Sequence, residues 1–184
     1  AVHAEGALAG VELWYGGFTS ANLYSREVAM DVASLPNEAT LGVPVQSQAM
    51  TLDDIHAFRQ MHRDAAKRAL EAGFDIVYVY GNHYYLLHNF LNPCFNQRDD
   101  EYGVVAENRV RLLREVIEDV KEIVAGRAAV AVRYSIPPDF ADDPQGLVEC
   151  FGYIAELPDL WDITVNDYHL EMGSSRFVKE AANQ

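Results

Sequence analysis

Apolar residues along this chain have two habits: short dense runs, and longer stretches where they recur at three and four residues. The run at 7–15 (ALAGVELWY) stops at Gly16-Gly17, as a buried strand entering a turn would. Over 51–71, Ile55, Phe58, His62, Ala65, Ala66 and Ala69 fall on one side of a helix. Thr51 is placed to cap its start, Asp53 and Asp54 lie in the first turn, and Gly73 supplies a stop. Residues 75–80 (DIVYVY) are dense in β-branched and aromatic side chains and predict a strand. The spacing of Val105, Leu112, Leu113, Val116, Ile117, Val120, Ile123 and Val124 predicts one long helix over 105–124, ended by Gly126. Strands at 128–134 (AAVAVRY) and 160–165 (LWDITV) flank a helix at 144–156 opened by Pro144, and a last helix is expected near Ser175.

Strand and helix alternate, and each helix is long enough to cross over and return, which makes an α/β chain with parallel strands in one sheet. Four such units fit a small doubly wound sheet or half of a (β/α)8 barrel, and periodicity alone does not separate them. Ala129, Ala131 and Arg133 share one face of their strand, as Tyr78 and Tyr80 do of theirs. An arginine pointing inward at a strand's carboxyl end suits a barrel mouth. Residues 18–50 show no clear period and follow the carboxyl end of a strand, where α/β folds place ligands. A lid or substrate-gating role is expected of them.

With 184 residues, 49% of them hydrophobic, the chain can form one globular domain with its own core. Lys and Arg number 14 against 28 Asp and Glu, a net charge of −14 that repels phosphate backbones and anionic headgroups. Nucleic acid and membranes are not expected partners. No run reaches the roughly 18 apolar residues of a membrane span, and the first ten residues lack the pattern of a signal peptide. Cys94 and Cys150 lie far apart, with no second thiol or histidine pair at zinc-like spacing, so neither a disulfide nor a structural metal is signalled. A reducing, cytoplasmic setting fits. The chain starts without methionine, and a piece of a longer parent is the expectation.

Polar and aromatic residues gather where the strands end: Glu12, Trp14 and Tyr15, then 80–85, Arg133 to Ser135, and Asn166 to His169. The densest group is Tyr80-Gly81-Asn82-His83-Tyr84-Tyr85, where glycine allows a sharp turn and a phenol and an imidazole three residues apart can face one ligand. The same residues could instead be tyrosines packing a loop around a histidine bonded to backbone. A metal-dependent hydrolase built on His83 and His88 is disfavoured, because two histidines five apart do not share a helix face and no HxH pair is present.

The stretch YGNHYYLLHNFLNPCFNQRDDEYGVVAENRVR resembles the segment after the fourth barrel strand of the Old Yellow Enzyme superfamily of NADH:flavin oxidoreductases. Asn92-Pro93, Asn96, Arg98, Asp100, Tyr102-Gly103 and Glu107-Asn108-Arg109 fall at that family's spacing. Within it, GVELWYGG, GFDIVYVYG and LWDIT look most like the trimethylamine and dimethylamine dehydrogenases. The resemblance implies an FMN-binding TIM barrel, of which residues 1–184 would form a partial domain from about the third strand to just beyond the sixth. It implies Arg133 beside the flavin's N1 and C2 carbonyl, and Glu12 bonded to the pyrimidine end of the ring. It implies Tyr80, His83 and Tyr85 as catalytic residues: Tyr80 with His83 as the phenol and imidazole near a substrate nitrogen, Tyr85 as the family's proton donor.

What the resemblance implies is an amine dehydrogenase oxidising a methylated amine and delivering its electrons to a partner. Any iron–sulfur cluster of the parent would have its ligands outside this chain. Two departures stand out. Gly103-Val104-Val105 replaces the family's double glycine and serine, and NDYHLEMGSSRF offers no match for the substrate-cage tryptophan or for the acid that completes the Tyr-His group. Asp167 and Glu171 are candidates for that acid, and Tyr15, Tyr24 and Tyr168 for an aromatic cage around an N-methylated cation. An ene-reductase using His83 and Tyr85, or a noncatalytic half-barrel, are the other readings. A half-barrel also leaves two unpaired sheet edges, which predicts a homo-oligomer or a longer parent.

Overall fold

A computed structural model describes residues 1–19, 27–37, 45–135 and 144–164. Its centre is a parallel sheet of four strands, β1 (Gly10–Leu13), β2 (Ile76–Gly81), β3 (Ala129–Ser135) and β4 (Leu160–Thr164), bonded in that order. Helices α1 (Leu52–Glu71), α2 (Leu86–Leu91), α3 (Ala106–Arg109), α4 (Arg111–Val124) and α5 (Pro144–Gly152) lie between the strands in sequence. A doubly wound sheet reverses its strand order at one point. This one never does among the described strands, and its helices collect on one face, the arrangement of successive units of a (β/α)8 barrel.

The helix α1 begins where expected. Asp54 N–H donates to Thr51 Oγ1 at 3.2 Å while Thr51 N–H donates to the Asp54 carboxylate at 2.9 Å, a reciprocal cap. Ile55, Phe58, His62, Ala66 and Ala69 are buried, and Gly73 takes a φ of +81° that ends the helix. Phe58 and Ile55 join Val77, Val79, Val130, Val132, Leu113 and Ile117 in one core cluster between sheet and helices. Asp119 of α4 fastens the two long helices, accepting from Arg59 at 2.7 Å and from Arg63 at 2.8 Å.

Two expectations are corrected and one helix is added. The long helix over 105–124 is two, Ala106–Arg109 and Arg111–Val124, divided at Val110, whose ψ of −12° is turn-like. The helix opened by Pro144 stops at Gly152 rather than 156, and the chain turns so that Trp161 Nε1–H donates to Ala155 O at 2.9 Å. The helix α2 was not expected, because all six of its residues are buried and no apolar stripe marks it. The described parts of 18–50 are held by short ladders, Met30–Asp31 beside Gln48–Ala49 and Pro36–Asn37 against Val45–Gln46. Val32 and Met50 there are core residues, so these parts are packed into the scaffold, while 20–26 and 38–44, on which the lid expectation also falls, lie outside the described residues. The helix expected near Ser175 lies outside the described residues.

Candidate active site

Alternation along the strands divides the sheet into two faces. Val77, Val79, Val130, Val132 and Tyr134 point to the helices and are buried. Glu12, Tyr78, Tyr80, Ala131, Arg133 and Asp162 alternate with them on the open face, with Glu12 level with Tyr78, and Tyr80 level with Arg133 and Asp162. Arg133 spans this face. Its Nη1 donates to Glu12 Oε1 at 2.7 Å, and its Nε lies 3.2 Å from Asp162 Oδ2, close enough for an ion pair though off the line of a hydrogen bond. The guanidinium carbon stands 5.7 Å from the centre of the Tyr80 ring. Glu12 is exposed, not buried as an unpaired carboxylate, and meets Arg133 across two strands.

Beyond Tyr80 the chain reverses through His83 and Tyr84, with φ of +56° and +57°. Two consecutive non-glycine residues in the left-handed region cost about 1–2 kcal/mol each, and neighbouring side chains offset that cost. Asn82 Oδ1 accepts from the His83 N–H at 2.6 Å, and His88 Nδ1 accepts from the Tyr84 N–H at 2.8 Å. Asn89 Nδ2 donates to Tyr84 O at 2.8 Å and to Asp31 at 3.0 Å. The turn brings the two predicted partners together: Tyr80 Oη and His83 Nδ1 are 2.7 Å apart. Tyr85 joins them, its ring centre 5.6 Å from that of Tyr80 and 6.3 Å from that of His83.

The electrostatics separate scaffold from chemistry. Burial drives the His88 imidazole down to about 3, helped by the nearby His83, so His88 is neutral inside the fold, with its Nδ1 accepting from the Tyr84 N–H. Burial pushes the Asp31 carboxyl up to about 6, against the pull of the Phe18 and Val32 N–H groups and Asn89. Burial also raises the Tyr80 phenol, opposed by the Arg133 charge, so Tyr80 is a neutral donor and acceptor near neutral pH. Among the described residues no group of three His, Cys, Asp or Glu could hold a metal. No helix of the described residues is long and apolar enough to cross a membrane.

Tyr80, His83, Tyr85, Glu12 and Arg133 therefore meet on one side of the sheet. Tyr15 does not join them: it packs edge-on to Phe58 of α1, at 5.7 Å between ring centres, on the helix side. Trp14, one residue earlier, has the opposite parity and meets Tyr85 edge-on at 5.0 Å. Tyr24, Tyr168, Asp167 and Glu171 lie outside the described residues. Sequence reasoning singled out neither Asp162 nor the role of Asn82. Asp162 could have been found by counting alternation back from the end of its strand; nothing in the sequence marked the contacts of Asn82.

The residues that carried the resemblance turn out to be structural. Asn96 Nδ2 donates to Phe90 O and Tyr102 O at 2.6 and 2.8 Å, and Arg98 pairs with Asp100 while donating to Met50 O at 2.7 Å. Buried Arg109 holds Leu91 O and Val104 O at 3.1 and 3.0 Å. Gly103 cannot be anything else in this clamp, since a Cβ there would run into the Arg98 carbonyl.

A model of the NADH:flavin oxidoreductase / NADH oxidase family matches residues 1–176. The chain belongs to that FMN-dependent oxidoreductase family. Among members of the NADH:flavin oxidoreductase family, dimethylamine dehydrogenase of Hyphomicrobium sp. (strain x) is 34% identical over 96% of the chain and 25% of its own length. The structure of 6-hydroxypseudooxynicotine amine oxidase from Pseudomonas geniculata N1 superposes with a TM-score of 0.84 at 40% identity, over 95% of the chain and 27% of that protein. The Old Yellow Enzyme homologue from Zymomonas mobilis superposes with a TM-score of 0.77 at 25% identity, over 91% of the chain and 51% of that protein. The sheet is thus part of a TIM barrel, and the chain spans about a quarter to a half of the length of these relatives.

Proposed function

We propose that the whole protein oxidises the C–N bond of a small, methylated amine, and that this chain supplies the face of the barrel on which the amine and the FMN ring meet. The observation that carries this reading is the 2.7 Å contact between Tyr80 Oη and His83 Nδ1 on the same face as Arg133. Bound FMN would supply a two-electron acceptor. The donor set suits its imide edge: Arg133 offers a fixed, forked cation for a carbonyl oxygen, and Glu12 an acceptor for an N–H. Both already stand together on the open face, 2.7 Å apart, so one ligand edge can engage both.

An amine reacts only as its free base, because the protonated form has no lone pair to drive electrons outward. Tyr80 and His83 form a coupled pair that can accept the ammonium proton and then hold the neutral nitrogen by a hydrogen bond. Tyr85 and Trp14 wall the same place with aromatic faces that attract an alkylated cation on entry. The product iminium would hydrolyse to an aldehyde and a shorter amine, and the electrons would leave to a partner.

Tyr85 also favours a second reading: a phenol packed against Tyr80 and His83 is where an ene-reductase needs its acid. Anaerobic mixing of the full-length flavoprotein with methylated amines and, separately, of its reduced form with unsaturated ketones distinguishes them. Loss of the yellow flavin absorbance with amines supports the proposal; return of colour with ketones and none lost with amines overturns it.

A further inference from the structure

Arg133 is held between two carboxylates from strands on either side of it. The register sets Tyr80, Arg133 and Asp162 side by side on β2, β3 and β4, with Glu12 of β1 level with Tyr78. Asp162 stands beside the root of the Arg133 guanidinium, its Oδ2 3.2 Å from Nε, and Glu12 meets the tip, its Oε1 accepting from Nη1 at 2.7 Å. The guanidinium lies between them, its carbon 5.7 Å from the centre of the Tyr80 ring. Two carboxylates against one guanidinium leave a negative charge in excess on this face. The two are not equivalent. Glu12 meets the end of the guanidinium that a ligand edge would share, and an N–H of that ligand can draw its oxygen away from Arg133. Asp162 lies on the other side of β3, at Nε, and stays with Arg133 when that edge is occupied.

We infer that Asp162 is a positioning residue acting through Arg133: it holds the root of the guanidinium and offsets part of its charge, and so sets how strongly Arg133 favours reduced over oxidised FMN. Reduction of the ring takes up two electrons and one proton and leaves a negative charge at its imide end, which a guanidinium stabilises. A carboxylate on the other side of that guanidinium opposes the new charge, across a partly buried face where solvent screens it incompletely. Asp162 therefore keeps the reduction potential lower than Arg133 and Glu12 alone would, which favours passing the electrons on. The role requires the FMN ring to lie against Arg133, as proposed above, but it does not depend on the substrate being an amine.

The test is the reduction potential of the full-length flavoprotein, measured by anaerobic titration with dithionite against a reference dye. Asp162→Asn keeps the size of the side chain and an oxygen that can accept from Nε–H, but removes the charge. It should favour the reduced flavin by about tenfold, a rise of about 30 mV for a two-electron couple. Asp162→Glu retains the charge and should stay near the wild type. Glu122→Gln removes an equal charge from the helix side, where it pairs with Arg63, and should leave the potential where it was. Asp162 is about one-third exposed, so the amide strands no buried group; if the Asn variant does not fold, Asp162→Ser, which also removes the charge, decides in its place. An unchanged or lowered potential in the uncharged variant would overturn the inference, as would an equal rise in Glu122→Gln. A raised potential in a protein that oxidises no amine upholds the role of Asp162 and sinks the amine reading. An unchanged one in a protein that does oxidise amines removes Asp162 and leaves the amine reading standing.

Discussion

Single residues here carry strain and charge that can be measured. Val104 is a β-branched, exposed residue with a φ of +66°, at the place where the resemblance led one to expect a second glycine. Val104→Gly should stabilise the protein by about 1 kcal/mol or more, read as a higher thermal midpoint, since the left-handed region costs valine on that order. Asp31 makes a different prediction. Its folded-state value of about 6 exceeds the ordinary 3.8, so the buried carboxyl holds its proton more tightly folded than unfolded. That adds stability below about pH 4 which is lost as pH rises to about 6, on the order of 3 kcal/mol. The thermal midpoint of the wild type should fall relative to Asp31→Asn across that window; parallel curves would show that Asp31 is not the group responsible. Asp31 drew no notice in the sequence, because its burial arises from contacts distant in the chain, whereas Val104 was marked by the resemblance as standing where a glycine was expected. Glu12 and Arg133 were legible for the opposite reason: strand alternation alone puts them on one face.

At the scale of elements, periodicity located all four strands of the sheet and the two long helices, because each buries one side and shows it. What it misjudged were boundaries and a fully buried helix. The apolar spacing from Val105 to Val124 runs across Val110 without a break, yet Val110 is itself buried and divides α3 from α4, which a pattern of burial cannot reveal. The helix α2 has no polar side to betray it. A tie between α1 and α4 is equally invisible in sequence: Asp119, nearly buried, takes both Arg59 and Arg63. Asp119→Ala should cost about 1.5–3 kcal/mol in denaturant unfolding, the range for hydrogen bonds to charged groups, because it removes the carboxylate that two guanidinium groups share at the α1 and α4 contact and leaves them only Glu115 and Glu122. Glu122→Ala, which removes only an exposed partner of Arg63, should cost far less.

For the whole molecule, the open face of the sheet is the part on which the proposed chemistry depends, and Arg133 is its centre. Arg133→Lys keeps the charge but not the fork, and a lysine cannot hold Glu12, Asp162 and a ring edge at once. FMN affinity of the full-length apoprotein, followed by quenching of flavin fluorescence, should fall roughly tenfold, equivalent to about 1.4 kcal/mol. Unchanged affinity would remove Arg133 from the cofactor's surroundings.

The clamp of Asn96, Arg98 and Arg109 bonds the backbone carbonyls of Phe90, Met50 and Leu91, and His88 and Asn89 bond the backbone of Tyr84, so the turn is held through main-chain groups. Tyr80 and His83 can accordingly be exchanged for other side chains without disturbing what folds the turn that presents them. A protein built this way can acquire new reactions by small steps, retooling the working surface while the mounting underneath stays bolted in place.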